Sequence, residues 1–169
     1  MAKTGRKAGM ASRGTHAVAA LESAGRPFEL HSYDYTGEKG AIGLEAAMAL
    51  GVDPGRVFKT LVGDVDGVGL VMAIIPVAAT LDLKALAHQV GGKRAAMADI
   101  RKAERATGYI KGGISPFGQK QKLAAILDDS ALAHETIFVS GGKRGLEIEI
   151  SASDLLAVLG AETADIARE

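Results

Sequence analysis

Two apolar, β-branched runs flanking an Asp-Gly pair constrain this sequence more than any other feature. Residues 56–65 (RVFKTLVGDV) and 69–76 (GLVMAIIP) meet at Asp66-Gly67, which is a strong hairpin signal. Around this hairpin the pattern alternates between helix and strand signals. Thr15 can cap a helix carrying Val18, Leu21 and Ala24, ended by Gly25 and Pro27. FELHSY at 28–33 alternates as a strand does. Residues 36–40 read as a polar loop and 42–50 as a short helix closed by Gly51. Thr80 can cap a helix with Leu83, Leu86, Ala87 and Val90 at helical spacing, stopped by Gly91-Gly92. A short strand over 95–98, a short helix over 99–105, and strands over 123–127, 136–139 and 146–150 follow. Ser151 with Asp154 resembles a capping box that opens a last helix through Leu159. Strands and helices do not alternate strictly, so the expected class is α+β: a single domain with a mixed, mostly antiparallel sheet.

At 169 residues the chain fits one domain with a sizeable core. Its 47% apolar and 24% charged residues are those of a globular protein. The absence of cysteine excludes a disulfide scaffold, a cysteine zinc site and a cysteine nucleophile in the protein, and fits a reducing compartment. No apolar run reaches the roughly 18–20 residues of a membrane helix. Residues 1–14 are basic, rich in Gly and Ala, and lack the apolar stretch of a secretory signal. They read as a disordered tail, or as a basic arm with weak nucleic-acid affinity. A cytoplasmic domain over 15–169 is expected. Net charge is zero, and without the first 14 residues 16 basic residues face 20 acidic ones. Any RNA contact must therefore use a local patch.

Several chemistries are disfavoured. The histidines (His16, His31, His88, His134) form no HxxxH or HExxH pair, so no metal is expected. There is no Walker loop and no G-x-S-x-G elbow. The repeated GGKR at 91–94 and 141–144 has no repeating surroundings and reads as coincidence.

Three segments remain. Lys59 and Thr60 interrupt the apolar run VFKTL, and Lys59 shares its strand face with Val57 and Leu61. Such a lysine either guards an exposed strand edge or sits at the mouth of a pocket, offered to a phosphate or carbonyl. GYIKGGISPFG at 108–118 holds four glycines, and Pro116 stiffens it. It is either a plain connection or a rigid turn presenting peptide groups to a ligand. SGGKRG at 140–145 is either a tight turn with two solvated cations or a phosphate cradle. Together the three favour a site that holds an anionic ligand with backbone and lysine.

These segments resemble the YbaK/EbsC family of freestanding aminoacyl-tRNA editing domains, in particular its Cys-tRNA(Pro) deacylase type. The matching strings are VFKTL at 57–61, PVAATLDLKALA at 76–87, TGYIKGGISPFGQKQ at 107–121, VSGGKRGLEIEI at 139–150 and ADIAR at 164–168. The resemblance implies a partly closed, barrel-like sheet flanked by helices, of the type found in the editing domain of prolyl-tRNA synthetase. It implies an enzyme that clears cysteine from tRNA(Pro), and possibly from tRNA(Cys), without cofactor or metal. The substrate's own thiol would attack its carbonyl, with prolyl-tRNA synthetase as a further partner.

Carried over by position, Lys59, Gly112 and Ser140 form the catalytic set. Lys59 would hold the terminal adenosine and its phosphate or stabilise the departing ribose oxygen. The Gly112 carbonyl would take the substrate amine, and Ser140 would orient the substrate. Tyr33, Ile42, Thr60, Gly113, Pro116 and Glu147 would bind substrate, with Tyr33 lining the side-chain pocket. Family members often carry an aromatic residue near Ile42 and an Asp at Glu147. Lys111, Lys120, Lys122, Lys143 and Arg144 are candidate tRNA contacts. Two further readings stand beside this one: an Ala-tRNA(Pro) deacylase using bound water, and a catalytically silent tRNA- or synthetase-binding module.

Overall fold

The hairpin at Asp66-Gly67 forms the centre of the fold. The computed structural model describes residues 15–37 and 42–169; the stretch 1–14 and its expected disorder lie outside the described residues. Strands β2 (Phe58–Val65) and β3 (Gly69–Pro76) pair antiparallel over their full length, from Phe58↔Pro76 to Val65↔Gly69. Gly67 turns the chain at φ 81°, a conformation in which a Cβ would be strained. β3 is central and buried on both faces, which explains its unbroken apolar sequence.

The sheet around β3 runs β5-β2-β3-β6-β9, with β5 at Ala95–Met97, β6 at Ala124–Asp128 and β9 at Glu162–Ala164. β6 and β9 join in parallel, and β2 and β5 pair antiparallel. A second sheet, β1-β8-β7, is wholly antiparallel (Glu29–Ser32, Leu146–Ile150, Ile137–Ser140). The two sheets touch through a parallel bridge between Val57 and Phe138. The result is mixed, mostly antiparallel and partly closed, as expected.

Two apolar layers flank β3. On one side Ile74 and Phe58 meet the second sheet and helices α1 (His16–Ala24) and α5 (Ala152–Leu159). On the other, Val71, Ala73 and Ile75 meet Leu86 and Ala87 of α3 (Leu83–Gln89). Helix α2 (Ile42–Leu50) covers the seam between the sheets, packing Ala47 against Val57, Val77 and Phe138.

Most helix limits follow local chemistry. Thr15 accepts from Val18 N, Gly25 ends α1 in the left-handed region, and Ser151 accepts from Asp154 N. Thr80 does not cap α3. It pairs with Arg168 in a small β4–β10 ribbon (Thr80–Leu81, Ala167–Arg168), and Asp82 caps the helix by accepting from Ala85 N. A carboxylate two residues on competes successfully for the cap because Thr80 is taken by the ribbon. The helix expected at 99–105 is α4 (Ile100–Thr107), capped by Asp99 and stopped by Gly108. Among the described residues no helix is long and apolar enough to cross a membrane.

Candidate active site

The site originates in an incomplete closure. On the edge of β2 away from β3, Val57 meets β7 and Gly63–Val65 meet β5. Among the described residues no strand pairs with residues 58–61 on that edge. Val62 gives its carbonyl to Ala98 N, so Thr60, two residues back, turns its own peptide groups toward the same open edge. A cleft of about 800 Å³ occupies the gap.

Three further segments wall the cleft, and each is fixed by hydrogen bonds. The first is the loop after β1 with the start of α2. Buried Glu45 accepts from Thr36 N (2.8 Å) and Thr36 Oγ1 (3.0 Å), holding Tyr35, Gly43 and Leu44 in the wall. The second is the glycine-rich loop 108–118. Its interior is built on Tyr109, whose hydroxyl donates to the Phe117 carbonyl, and on buried Ser115. Glu104 of α4 accepts from Lys111 N at 2.9 Å. Gly112 has φ 91° and lines the cleft. The third is the β7–β8 hairpin, which places Ser140 directly across from Glu147, both lining the cleft. Arg144 ties these walls together: it donates to the Lys111 carbonyl (3.1 Å) and stacks over Tyr35 at 5.3 Å.

The polar groups in the cleft are poorly satisfied. Lys59 is half-buried without an ion-pair partner among the described residues, and burial lowers its pKa. The Thr60 Oγ1 is buried and has no hydrogen-bond partner. Glu147 is only 7% exposed, and burial pushes its carboxyl up to about 8. Outside the cleft lining, the buried Tyr33 hydroxyl also lacks a partner. Burial first, then the nearby Glu147 charge, push it up to about 12. Unpaired buried polar atoms are costly, so this arrangement suits a ligand that brings polar groups of its own.

Glu147 supplies a test of that environment. The carboxyl titrates near 4.5 when unfolded and near 8 when folded. Between those values the folded state holds the extra proton, so this group's contribution to stability falls as pH rises from about 5 to 8. Glu147→Gln should remove that loss, on the order of 2 kcal/mol once water entering the cleft is allowed for. Urea unfolding of both proteins at pH 5 and pH 8 measures it. An identical pH dependence would mean that the carboxylate is well solvated.

Of the residues singled out from sequence, Lys59, Thr60, Lys111, Gly112, Ser140, Arg144 and Glu147 line one cleft. Tyr33 does not; the ring two residues on, Tyr35, does. Gly113 and Pro116 are buried inside the loop; a Cβ on Gly113 would lie 3.1 Å from the Lys143 Cα. Lys120, Lys122 and Lys143 are exposed and outside the cleft lining. The side chain of Ile42 lies outside the described residues. Tyr35, Leu61, Val77, Met97, Ile100, Glu104 and Ile114 also line the cleft, and sequence reasoning missed them. The exposed apolar side chains of Met97 and Ile100 carry no sequence signal, because they read as ordinary strand and helix residues.

Comparison with known proteins agrees with this architecture. The family described as aminoacyl-tRNA editing domain matches residues 41–158. A protein of Enterococcus faecalis, provisionally named Cys-tRNA(Pro)/Cys-tRNA(Cys) deacylase EbsC, is 36% identical over 153 residues, covering 90% of this chain and 92% of that one. The multifunctional Ser/Thr-tRNA deacylase ProXp-y of Escherichia coli is 27% identical over 155 residues, 89% of this chain and 90% of that one. A crystal structure provisionally named as a trans-editing enzyme for prolyl-tRNA synthetase superposes with TM-score 0.80 at 26% identity, covering 91% of this chain and 96% of that one.

Proposed function

Because the chain belongs to the aminoacyl-tRNA editing domain family, we propose that it acts in trans to clear cysteine from mischarged tRNA(Pro), with the substrate's own thiol as nucleophile. It is an aminoacyl-tRNA deacylase. The observation that carries the finer reading is the composition of the cleft. One half-buried, unpaired lysine faces a site with neither a cysteine nor a histidine in its lining.

Such a site can work by positioning alone. The aminoacyl ester is already activated and the thiol is tethered two bonds from the α-carbon, so holding them in a reactive pose supplies the rate. The sulfur forms a bond to the ester carbonyl carbon, the bond from that carbon to the ribose oxygen breaks, and the thiol proton passes to the departing ribose oxygen, which leaves as a hydroxyl while the cysteine leaves as its cyclic thioester. In this reading Lys59 holds the terminal phosphate or the departing oxygen, the Gly112 carbonyl takes the substrate amine, and Ser140 and Thr60 orient the ester. Lys111, Lys120, Lys122, Lys143 and Arg144 are the proposed tRNA contacts. Prolyl-tRNA synthetase is the proposed partner that delivers the tRNA, and the cytoplasm the proposed compartment.

A second reading is favoured by the unpaired Thr60 hydroxyl, which belongs to the cleft lining. A hydroxyl side chain satisfies such a group better than a thiol, and one relative is named for Ser and Thr. Deacylation of Cys-, Ser- and Ala-tRNA(Pro) by the purified protein, each against spontaneous hydrolysis, separates the readings. Rapid loss of cysteine alone supports thiol assistance. Rapid loss of serine moves the assignment to hydroxyl amino acids, and rapid loss of alanine requires attack by water.

A further inference from the structure

A second depression, of about 370 Å³, lies beside the cleft and shares Glu104 with it as a lining residue. Its other walls carry Arg101 and Arg105 of α4 and Lys120. We propose that this groove binds the phosphodiester backbone of the tRNA acceptor end, and that Arg101 and Arg105, with Lys120, are its phosphate ligands. This inference rests on the aminoacyl-tRNA reading of the cleft.

The argument starts from charge. Arg101 and Arg105 are four residues apart on one helix, so they project from the same face. Like charges at that spacing destabilise a helix by a few tenths of a kcal/mol, and among the described residues neither arginine, nor Lys120, forms an ion pair. The contrast lies within the same helix: Lys102 is bonded to Asp64 at 2.9 Å. The one carboxylate in the groove, Glu104, is engaged by the Lys111 N–H. Three exposed cations around a concavity, in a chain of zero net charge, form a local positive field of the kind that a polyanion requires.

The groove is also preorganised. Lys120 N bonds the Thr107 carbonyl (3.1 Å) and Gln121 N the Ala106 carbonyl (2.9 Å), fastening the Lys120 segment to the end of α4. The aliphatic stem of Lys120 packs over Gly108, where a Cβ would lie 3.2 Å from its Cγ. Ile110, 76% exposed on the groove wall, offers an apolar surface for an unpaired base to stack on. A chain whose 3′ end enters the cleft can then pass Glu104 and lay its phosphates along Arg101, Arg105 and Lys120.

The test uses the full-length protein, the triple variant Arg101→Gln/Arg105→Gln/Lys120→Gln, and a control, Lys84→Gln/Lys93→Gln, that removes one exposed cation on α3 and one just after it. Binding of a fluorescent, unacylated acceptor-stem hairpin ending in CCA is measured by anisotropy from 50 to 300 mM salt. Each phosphate contact contributes about 0.7–0.9 to the slope of log K against log salt. The triple variant should therefore lose roughly 100-fold in affinity at 0.1 M salt, with a slope smaller by about 2–3, while the control binds as the wild type does. In the double variant Arg101→Gln/Arg105→Gln, turnover of 3′-O-cysteinyl adenosine, too short to reach the groove, should be unchanged. Wild-type affinity and slope in the triple variant overturn the assignment, even if that variant loses binding to an acidic protein. Wild-type protein that deacylates no aminoacyl ester defeats the reading of the cleft, a separate result from the binding measurement.

Discussion

Lys59→Ala is expected to lower deacylation of aminoacyl-tRNA by at least about 100-fold while leaving the protein folded. Removing a single preorganised electrostatic contact to charge that develops in a transition state costs roughly 10²–10³ in rate. The lysine is well placed for such a contact. It lies on the stretch of β2 whose outer edge has no strand partner, lines the cleft, and has no carboxylate partner among the described residues. Burial already disfavours its charged form, so the ammonium contributes little to folding, and its loss should leave the urea midpoint near the wild-type value. Single-turnover rates on Cys-tRNA(Pro), with circular dichroism and urea unfolding on the same samples, decide the matter. A folded variant with wild-type turnover would remove Lys59 from the chemistry. Lys59→Arg should restore part of the activity if charge alone matters, and little if the compact ammonium must fit beside Thr60.

The largest effect on stability is expected at a position far from the cleft. Asp128 ends β6 and is 3% exposed. One carboxylate oxygen accepts from Ile166 N and Ala167 N, both at 3.0 Å; the other accepts from Ser130 N and the Ser130 hydroxyl. This single side chain fastens the last residues of the chain to the central sheet, and with them the β4–β10 ribbon that precedes α3. Asp128→Ala takes this partner from the buried Ile166 N–H and from the partly buried N–H groups of Ala167 and Ser130, and a buried group left unpaired costs about 1–3 kcal/mol. We expect a loss of roughly 4 kcal/mol and a melting temperature lower by about 10 °C. Turnover by the molecules still folded at 20 °C should be normal, because none of the hydrogen-bond partners of Asp128 lines the cleft. A melting temperature within 2 °C of wild type would show that the C-terminal residues are held by Ile166 packing alone.

The string ADIAR at 164–168, which matches the editing family, serves the fold. Asp165 and Asp82 pair with Arg168, Ile166 is fully buried, and the segment holds strands together.

The sequence by itself determined the elements whose causes are local. The Asp66-Gly67 hairpin, the caps at Thr15 and Ser151, and the glycine stops at Gly25, Gly108 and Gly160 depend on residues within a few positions of one another, and local chemistry suffices to place them. The sequence also marked Lys59 and the segments holding Gly112 and Ser140, because a lysine in an apolar run and clustered glycines depart from what packing alone would select; Glu147 was named only through the family resemblance. Tertiary structure decided everything that rests on long-range pairing. It made Asp82 rather than Thr80 the cap of α3, because Thr80 pairs with a residue 88 positions away. It turned Arg144 from a solvated cation into a tie between Lys111 and Tyr35. Above all it made the cleft. No pattern along β2 shows that β5 departs at Gly63 and β7 arrives only at Val57. The gap is a property of where three strands meet, and it turns an ordinary strand edge into a site.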